Sequence, residues 1–138
     1  TKISDDKNVT LFSDMKVMTK AECDARKDIM LSHYTGMVEM EALCMLDMIN
    51  KHVIPAVEAC EKGPLSELQS ATGTLRSAVD AILAADSPEE AATLARVLRL
   101  ETMESIRETC DTAEAICPDD CWTLPSYKDL LFLDKTIE

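Results

Sequence analysis

Along the segment from Thr19 to Cys60, apolar residues return at intervals of three, four and seven. Met30 and Met37 stand seven apart, and from Leu46 onward Ile49, Val53 and Val57 follow at three and four. That is the period of an amphipathic helix rather than the alternation of a strand. Thr19 followed by Glu22 has the spacing of a capping box, in which each side chain satisfies the other residue's backbone amide. A first long helix is therefore predicted over 20–61. Between Met37 and Ile49 the stripe widens, and Glu39, Glu41 and Asp47 are the polar residues left in it. A helix apolar on most sides needs more than one neighbour. Pro55 lies inside the pattern, lacks an N–H and crowds the carbonyl of Lys51, so a kink or break is predicted there. A helix of this length extends about 60 Å, against a radius of gyration of about 14 Å for a compact chain of this size. The domain is therefore elongated, or the helix bends or projects.

The Lys62–Gly63–Pro64 stretch reads as a stop and a restart, with Gly63 in the left-handed C′ position and Pro64 in the next first turn. Leu65, Leu68, Leu75, Val79 and Ile82 then mark a second helix over 64–85. Ser87–Pro88–Glu89–Glu90 opens a third over 88–117, with Ser87 as cap and Glu90 closing the box. The short link makes the second and third helices antiparallel neighbours. Residues 1–18 form a lead-in with a short helix over about 8–16 that docks through Leu11 and Phe12. The tail, 118–138, carries Trp122, Tyr127 and Phe132, and Ser126 with Asp129 caps a last turn holding Leu130 and Leu131. Trp122, Leu124, Tyr127, Leu131 and Phe132 are expected to fold back over Met37 to Ile49. The predicted fold is all-α: one domain, 1–138, built as an elongated antiparallel bundle of three main helices with a short C-terminal helical turn packed back.

Charge narrows the function. The 138 residues carry 14 Lys and Arg against 26 Asp and Glu, a formal net charge of −12. Such an excess repels phosphate backbones and anionic lipid, so neither nucleic acid nor membrane is an expected partner. Three glycines, Gly36, Gly63 and Gly73, cannot make a phosphate-binding loop. The eight Met residues, at helical spacing, read as core filler.

The six Cys read as reduced thiols of an intracellular protein, because Cys23, Cys44 and Cys60 fall within one helical pattern. Cys110, Cys117 and Cys121 are the best metal candidate, yet a structural zinc needs four ligands. A Cys117–Cys121 disulfide is the next alternative, and independent packed or exposed thiols are the favoured reading. Cys44 and Cys60 each stand eight residues from His52, about 12 Å along a helix, too far for a thiol–imidazole pair. His33 and His52 are read as residues without chemistry. Glu39, Glu41 and Asp47 lack the Glu-x-x-His partner of a di-metal bundle and read as ion pairs or a solvated edge. No catalytic, cofactor-binding or metal-binding residue is predicted.

Two stretches together resemble a known family. One is Met40–Glu41–Ala42–Leu43–Cys44–Met45–Leu46–Asp47–Met48, closing with Val53–Ile54–Pro55–Ala56–Val57; the other is Trp122–Thr123–Leu124–Pro125–Ser126–Tyr127–Lys128–Asp129–Leu130–Leu131–Phe132. They resemble the C-terminal region of type III glutamine synthetases, and the likeness covers nearly the whole chain. It departs at His33–Val38 and is weakest over 61–98. The resemblance implies a non-catalytic helical accessory domain with an architectural or assembly role. Its parent would be a ligase that condenses glutamate and ammonia using ATP and a divalent metal such as magnesium. The implied partners are the catalytic domain of the same polypeptide and neighbouring subunits of a homo-oligomer. No residue of the parent's catalytic or metal sites matches this chain, so no site or cofactor is carried over. The alternative is a free-standing acidic helical protein-interaction module. Under either reading a core of this length needs no staple. Chelator or reductant should leave the helical circular dichroism unchanged; unfolding reversed by zinc or oxidation would contradict it.

Overall fold

The computed structural model describes residues 2–125 and 127–132. Its helices are α1 (Asp6–Asp14), α2 (Lys20–Met48), a π-helical turn π1 (Ile49–Val53), α3 (Ile54–Cys60), α4 (Leu65–Leu83), α5 (Pro88–Val97), a second wide turn π2 (Leu98–Thr102), α6 (Met103–Ile116) and α7 (Tyr127–Leu131). No strand occurs among the described residues. Three long helices result: α2–π1–α3, then α4, then α5–π2–α6. The first and third run parallel, because Lys27 pairs with Glu89, Glu41 with Arg99, and Cys60 touches Cys117 in ascending order. The second runs antiparallel between its sequence neighbours.

The first long helix starts as its sequence predicts. Thr19 Oγ1 accepts from the Glu22 amide at 3.3 Å, and Glu22 Oε2 accepts from the Thr19 amide at 2.7 Å. At Pro55 the helix neither breaks nor stops. It widens upstream, so that the Ile54 amide donates to the Ile49 carbonyl instead of the Asn50 one. Widening the turn accommodates the missing donor and the bulk of the ring without losing the axis. Asn50 Nδ2 adds a bond to the Leu46 carbonyl at 2.9 Å within this stretch. The second wide turn, π2, has no proline to announce it.

Two predicted junctions differ in detail. The left-handed residue after α3 is Glu61 (φ 54°, ψ 25°), not Gly63, because the helix ends one residue earlier than predicted. Gly63 is still required: its φ is +118°, and an added Cβ would meet both Val57 methyls at 3.4 Å. Pro64 sits just before the first turn of α4 rather than within it. At the third helix Ser87 Oγ accepts from the Glu90 amide at 3.2 Å, while the Glu90 carboxylate reaches past Ser87 to the Asp86 amide at 3.1 Å.

The core is a seam of aliphatic side chains. Val38, Ala42, Leu46, Ile49, Val53 and Val57 of the first helix meet Leu68, Leu75, Val79 and Ile82 of the second, and Ala95, Leu98, Ile106 and Ala113 of the third. No charged or polar residue is buried among the described residues. Upstream of Leu46 the buried stripe is displaced from the predicted one: Val38 is buried, whereas Met30 and Met37 are 50% and 41% exposed. Met15, Met40 and Met48 are exposed as well, which corrects the reading of the methionines as core filler. Two neighbours cover one stripe of α2 and leave its flanks open. The accessible surface, 9436 Å², exceeds the roughly 7,000 Å² expected of a compact chain of this mass.

Ionisation tunes the upper end of the bundle. The Thr19 amide and hydroxyl hold the Glu22 carboxyl below its usual value, and Arg26 adds to this. The hydrogen bond from Lys27 lowers Glu89, and the same bond raises Lys27. The carboxylates therefore stabilise fully above the unfolded value of about 4.3, and their contribution is lost as pH falls through their lower folded values. The Lys27 contribution is complete below about 10.4 and is lost as pH rises through its higher folded value. Melting temperature plotted against pH should therefore fall less steeply on the acid side in Glu22→Gln, and less steeply above about pH 10 in Lys27→Gln.

Candidate functional site

Three surface features carry the chemistry-bearing residues. A groove of about 590 Å³ opens on the apolar seam between the first and third long helices. Met45, Met48, Ile49 and Val53 form one wall, and Met103 and Cys110 the other. Trp122 and Leu124 lie across it, and Glu41, Arg99, Arg107 and Asp111 stand at its rim. Both wide turns contribute, π1 through Ile49 and Val53 and π2 through Arg99.

The chain after α6 explains how the tail reaches the groove. Cys117 leaves the helix in an extended conformation (φ −72°, ψ 133°). Pro118 then starts a turn whose carbonyl accepts from the amides of Cys121 at 2.9 Å and Trp122 at 3.2 Å. The turn brings Trp122 and Leu124 against the core. His52 Nδ1 and Thr123 Oγ1, 2.7 Å apart, fasten the strap to the first helix. The indole Nε1 of Trp122 is shielded and finds no acceptor among the described residues.

The expected fold-back of the tail is thus half fulfilled. Trp122 and Leu124 pack, but over Met45 to Val53 rather than Met37 to Leu43. Leu130, Leu131 and Phe132 are 54%, 78% and 49% exposed, so the last turn, α7, is not closed over the bundle. The strap is fastened at His52, near the lower end, whereas Met37, Met40 and Leu43 lie farther up α2. Ser126 and the side chain of Tyr127, which the expected capping and fold-back also invoked, lie outside the described residues.

The second feature is a thiol corner at the lower end of the bundle. Cys60 Sγ and Cys117 Sγ are 3.2 Å apart, and Cys60 Sγ also lies 3.1 Å from the Lys62 carbonyl oxygen. Burial, helped by the Cys60 contact, pushes the Cys117 thiol up to about 11. The predicted Cys110, Cys117 and Cys121 group is divided. Cys110 faces the groove two turns of helix above, its thiol raised first by burial and then by Asp111. Thiols shifted upward are poor nucleophiles at neutral pH. Sequence spacing could not find the Cys60–Cys117 contact, because the partners come from different helices. Cys44, on the groove wall, is exposed. Among the described residues no three His, Cys, Asp or Glu side chains are arranged to hold a metal.

The carboxylates of the apolar segment pair as expected, Glu41 with Arg99 at 3.3 Å and Asp47 with Lys51 at 2.7 Å. Glu39 lines a shallow recess beside Pro88. The third feature is the open flank of the first helix, where Ile29 and Met40 are 69% and 67% exposed. Val17 and Met18 of the lead-in continue it in a hollow shared with Ala25, Ile29 and Met30.

Residues 1–71 match the family model described as the glutamine synthetase C-terminal domain. The chain belongs to that family. The match covers the lead-in, the first long helix and the opening of the second, including the Met40–Met48 and Val53–Val57 motif. The aromatic strap lies beyond it. The chain is also 25% identical to a glutamine synthetase of Butyrivibrio fibrisolvens over 156 aligned positions, covering 92% of this chain and 22% of that protein. A type-3 glutamine synthetase of Dictyostelium discoideum is 29% identical over 70 positions, 51% of this chain and 10% of that protein. The chain thus spans less than a quarter of the length of either relative. No helix among the described residues is long and apolar enough to cross a membrane.

If Trp122 closes the groove, removing it exposes the Met45–Val53 wall. Trp122→Ala should cost about 2–3 kcal/mol, below the 3–5 typical of a fully buried ring, because the indole is only partly covered. Trp122→Phe should cost less than half as much, since it keeps most of the apolar area and deletes the unpaired N–H. Chemical denaturation followed by circular dichroism gives both values.

Proposed function

We propose that this chain is the non-catalytic architectural domain of a type III glutamine synthetase. In that enzyme, ATP-dependent condensation of glutamate and ammonia is carried out by a catalytic part of the same polypeptide. ATP and the divalent metal, magnesium, would be held there, since this domain offers no phosphate loop. The domain's own task would be to join the catalytic part and neighbouring subunits of a homo-oligomer through the open flank of its first helix.

The observation that carries this reading is the apolar flank that the bundle leaves uncovered along its first helix. Leu11, Met15 and Val17 of the lead-in and Ile29, Met30, Met37, Met40 and Leu43 of α2 are all at least 41% exposed. A domain acting alone gains nothing from that many exposed apolar residues, and contiguous apolar surface of this kind marks interaction sites. The net charge of −12 does not contradict it, because the flank itself carries few charges.

The experiment uses the full-length enzyme. Met40→Lys and Ile29→Lys, both at exposed positions, should leave the isolated domain's melting temperature within a few degrees of the parent. In the full-length protein they should reduce the oligomer seen by light scattering and lower synthetase activity by about tenfold or more, the equivalent of losing roughly 1.4 kcal/mol of assembly. Unchanged oligomer and activity in both variants would refute the architectural role of this face.

A further inference from the structure

The thiol corner joins two helix ends that no loop connects. Cys60 is the last residue of α3 and Cys117 follows the last residue of α6, so their sulfurs meet where the first and third long helices finish together. We propose that Cys60 and Cys117 are a site of reversible disulfide modification, which staples the lower ends of these helices in response to low-molecular-weight disulfides. The inference stands on this contact alone and does not depend on the enzyme the domain serves.

The geometry favours this pair over the others. The sulfurs are 3.2 Å apart and need to approach to about 2.05 Å, a movement of about 1 Å at two helix ends. Cys60 is partly exposed and Cys117 is buried, which orders the steps. The Cys60 thiolate attacks the small disulfide R–S–S–R, forming a mixed disulfide at Cys60 and releasing one R–S⁻, which takes up a proton. Cys117 then loses its proton and attacks the Cys60 sulfur. The protein S–S bond forms, the mixed bond breaks, and the second R–S⁻ leaves and is protonated. Two protein thiols are oxidised and one small disulfide is reduced to two thiols. Burial of the Cys117 thiol, which disfavours its thiolate, makes the second step the slow one at neutral pH. Cys121 also stands close enough to influence Cys117, but the sulfur in contact with Cys117 is that of Cys60.

The closed bond would enclose the whole of the second and third long helices. It would restrict the unfolded chain and hold the turn at Pro118 from which the Trp122 strap departs. For a loop of this length the melting temperature should rise by about 10 °C.

The test incubates the 138-residue chain with oxidised glutathione at pH 8, followed by acid quenching and intact mass measurement. The expected product has lost two hydrogens and carries no glutathione. A digest without reductant should yield one linked pair of peptides containing Cys60 and Cys117. The melting temperature should rise and return to its starting value with dithiothreitol. Cys60→Ser should abolish the shift, whereas Cys121→Ser should keep it. A stable glutathione adduct at Cys60, a Cys117–Cys121 link, or an unchanged mass would each overturn the proposal. Because the mapping is done on the parent sequence, a serine variant that folds poorly does not weaken it.

Discussion

Val38, Ala42, Leu46, Ile49, Val53 and Val57 form one continuous buried stripe on the first long helix, and the second and third helices are held by packing against it. Every other feature follows from keeping that stripe unbroken past Pro55. A broken helix would split the core in two. A straight α-helix would drive the proline ring into the Lys51 carbonyl. The wide turn at Ile49–Val53 resolves the conflict by adding a residue to the turn, so that Ile49 and Val53 both remain buried, at 1% and 3% exposure. The lower half of the helix can then meet α4 and α6 and bring Cys60 to Cys117.

The same helix creates the surface the bundle leaves open. Its sequence is apolar on more of its circumference than two neighbours can cover, and the aromatic strap reaches only as far as the wall from Met45 to Val53. Apolar area not covered within the chain must be covered by something else or remain a liability. The two relatives are several times longer than this chain, and under the proposed reading the rest of such a polypeptide would supply that cover. The open flank and the closed seam are therefore two consequences of one hydrophobic pattern. One gives the domain its fold; the other, under the proposed reading, gives it a docking face.

Much of the fold was legible because its signals are local. Thr19 with Glu22 and Ser87 with Glu90 announce helix starts, and Gly63–Pro64 announces a turn, through hydrogen bonds and dihedrals spanning a few residues. What depended on three dimensions was not. The predicted stripe through Met30 and Met37 failed because periodicity fixes the spacing of a buried face but not which of two adjacent apolar faces meets the partners. Val38 and Met37 are one residue apart, and the smaller side chain faces the core. The tail was expected to cover more than it does because its aromatic content does not say where it docks, and the His52–Thr123 contact fastens it beside Val53. The thiol corner escaped notice because Cys60 and Cys117 are separated by 57 positions. The second wide turn, at Leu98–Thr102, has no counterpart in the residue pattern. The family resemblance was legible from two motifs, of which one lies inside the matched region and the other beyond it.

Hydroxyl-radical footprinting of the methionines tests the central claim most directly. Met30, Met37 and Met40 lie on the open flank, whereas Met45 and Met103 pack against the core and so serve as internal references. Oxidation rates should be measured in the isolated domain and in the full-length enzyme. The account predicts that Met30, Met37 and Met40 react rapidly in the isolated domain and are protected about tenfold in the full-length enzyme, with Met45 and Met103 slow in both. Equal reactivity of the three flank methionines in the two proteins would contradict it.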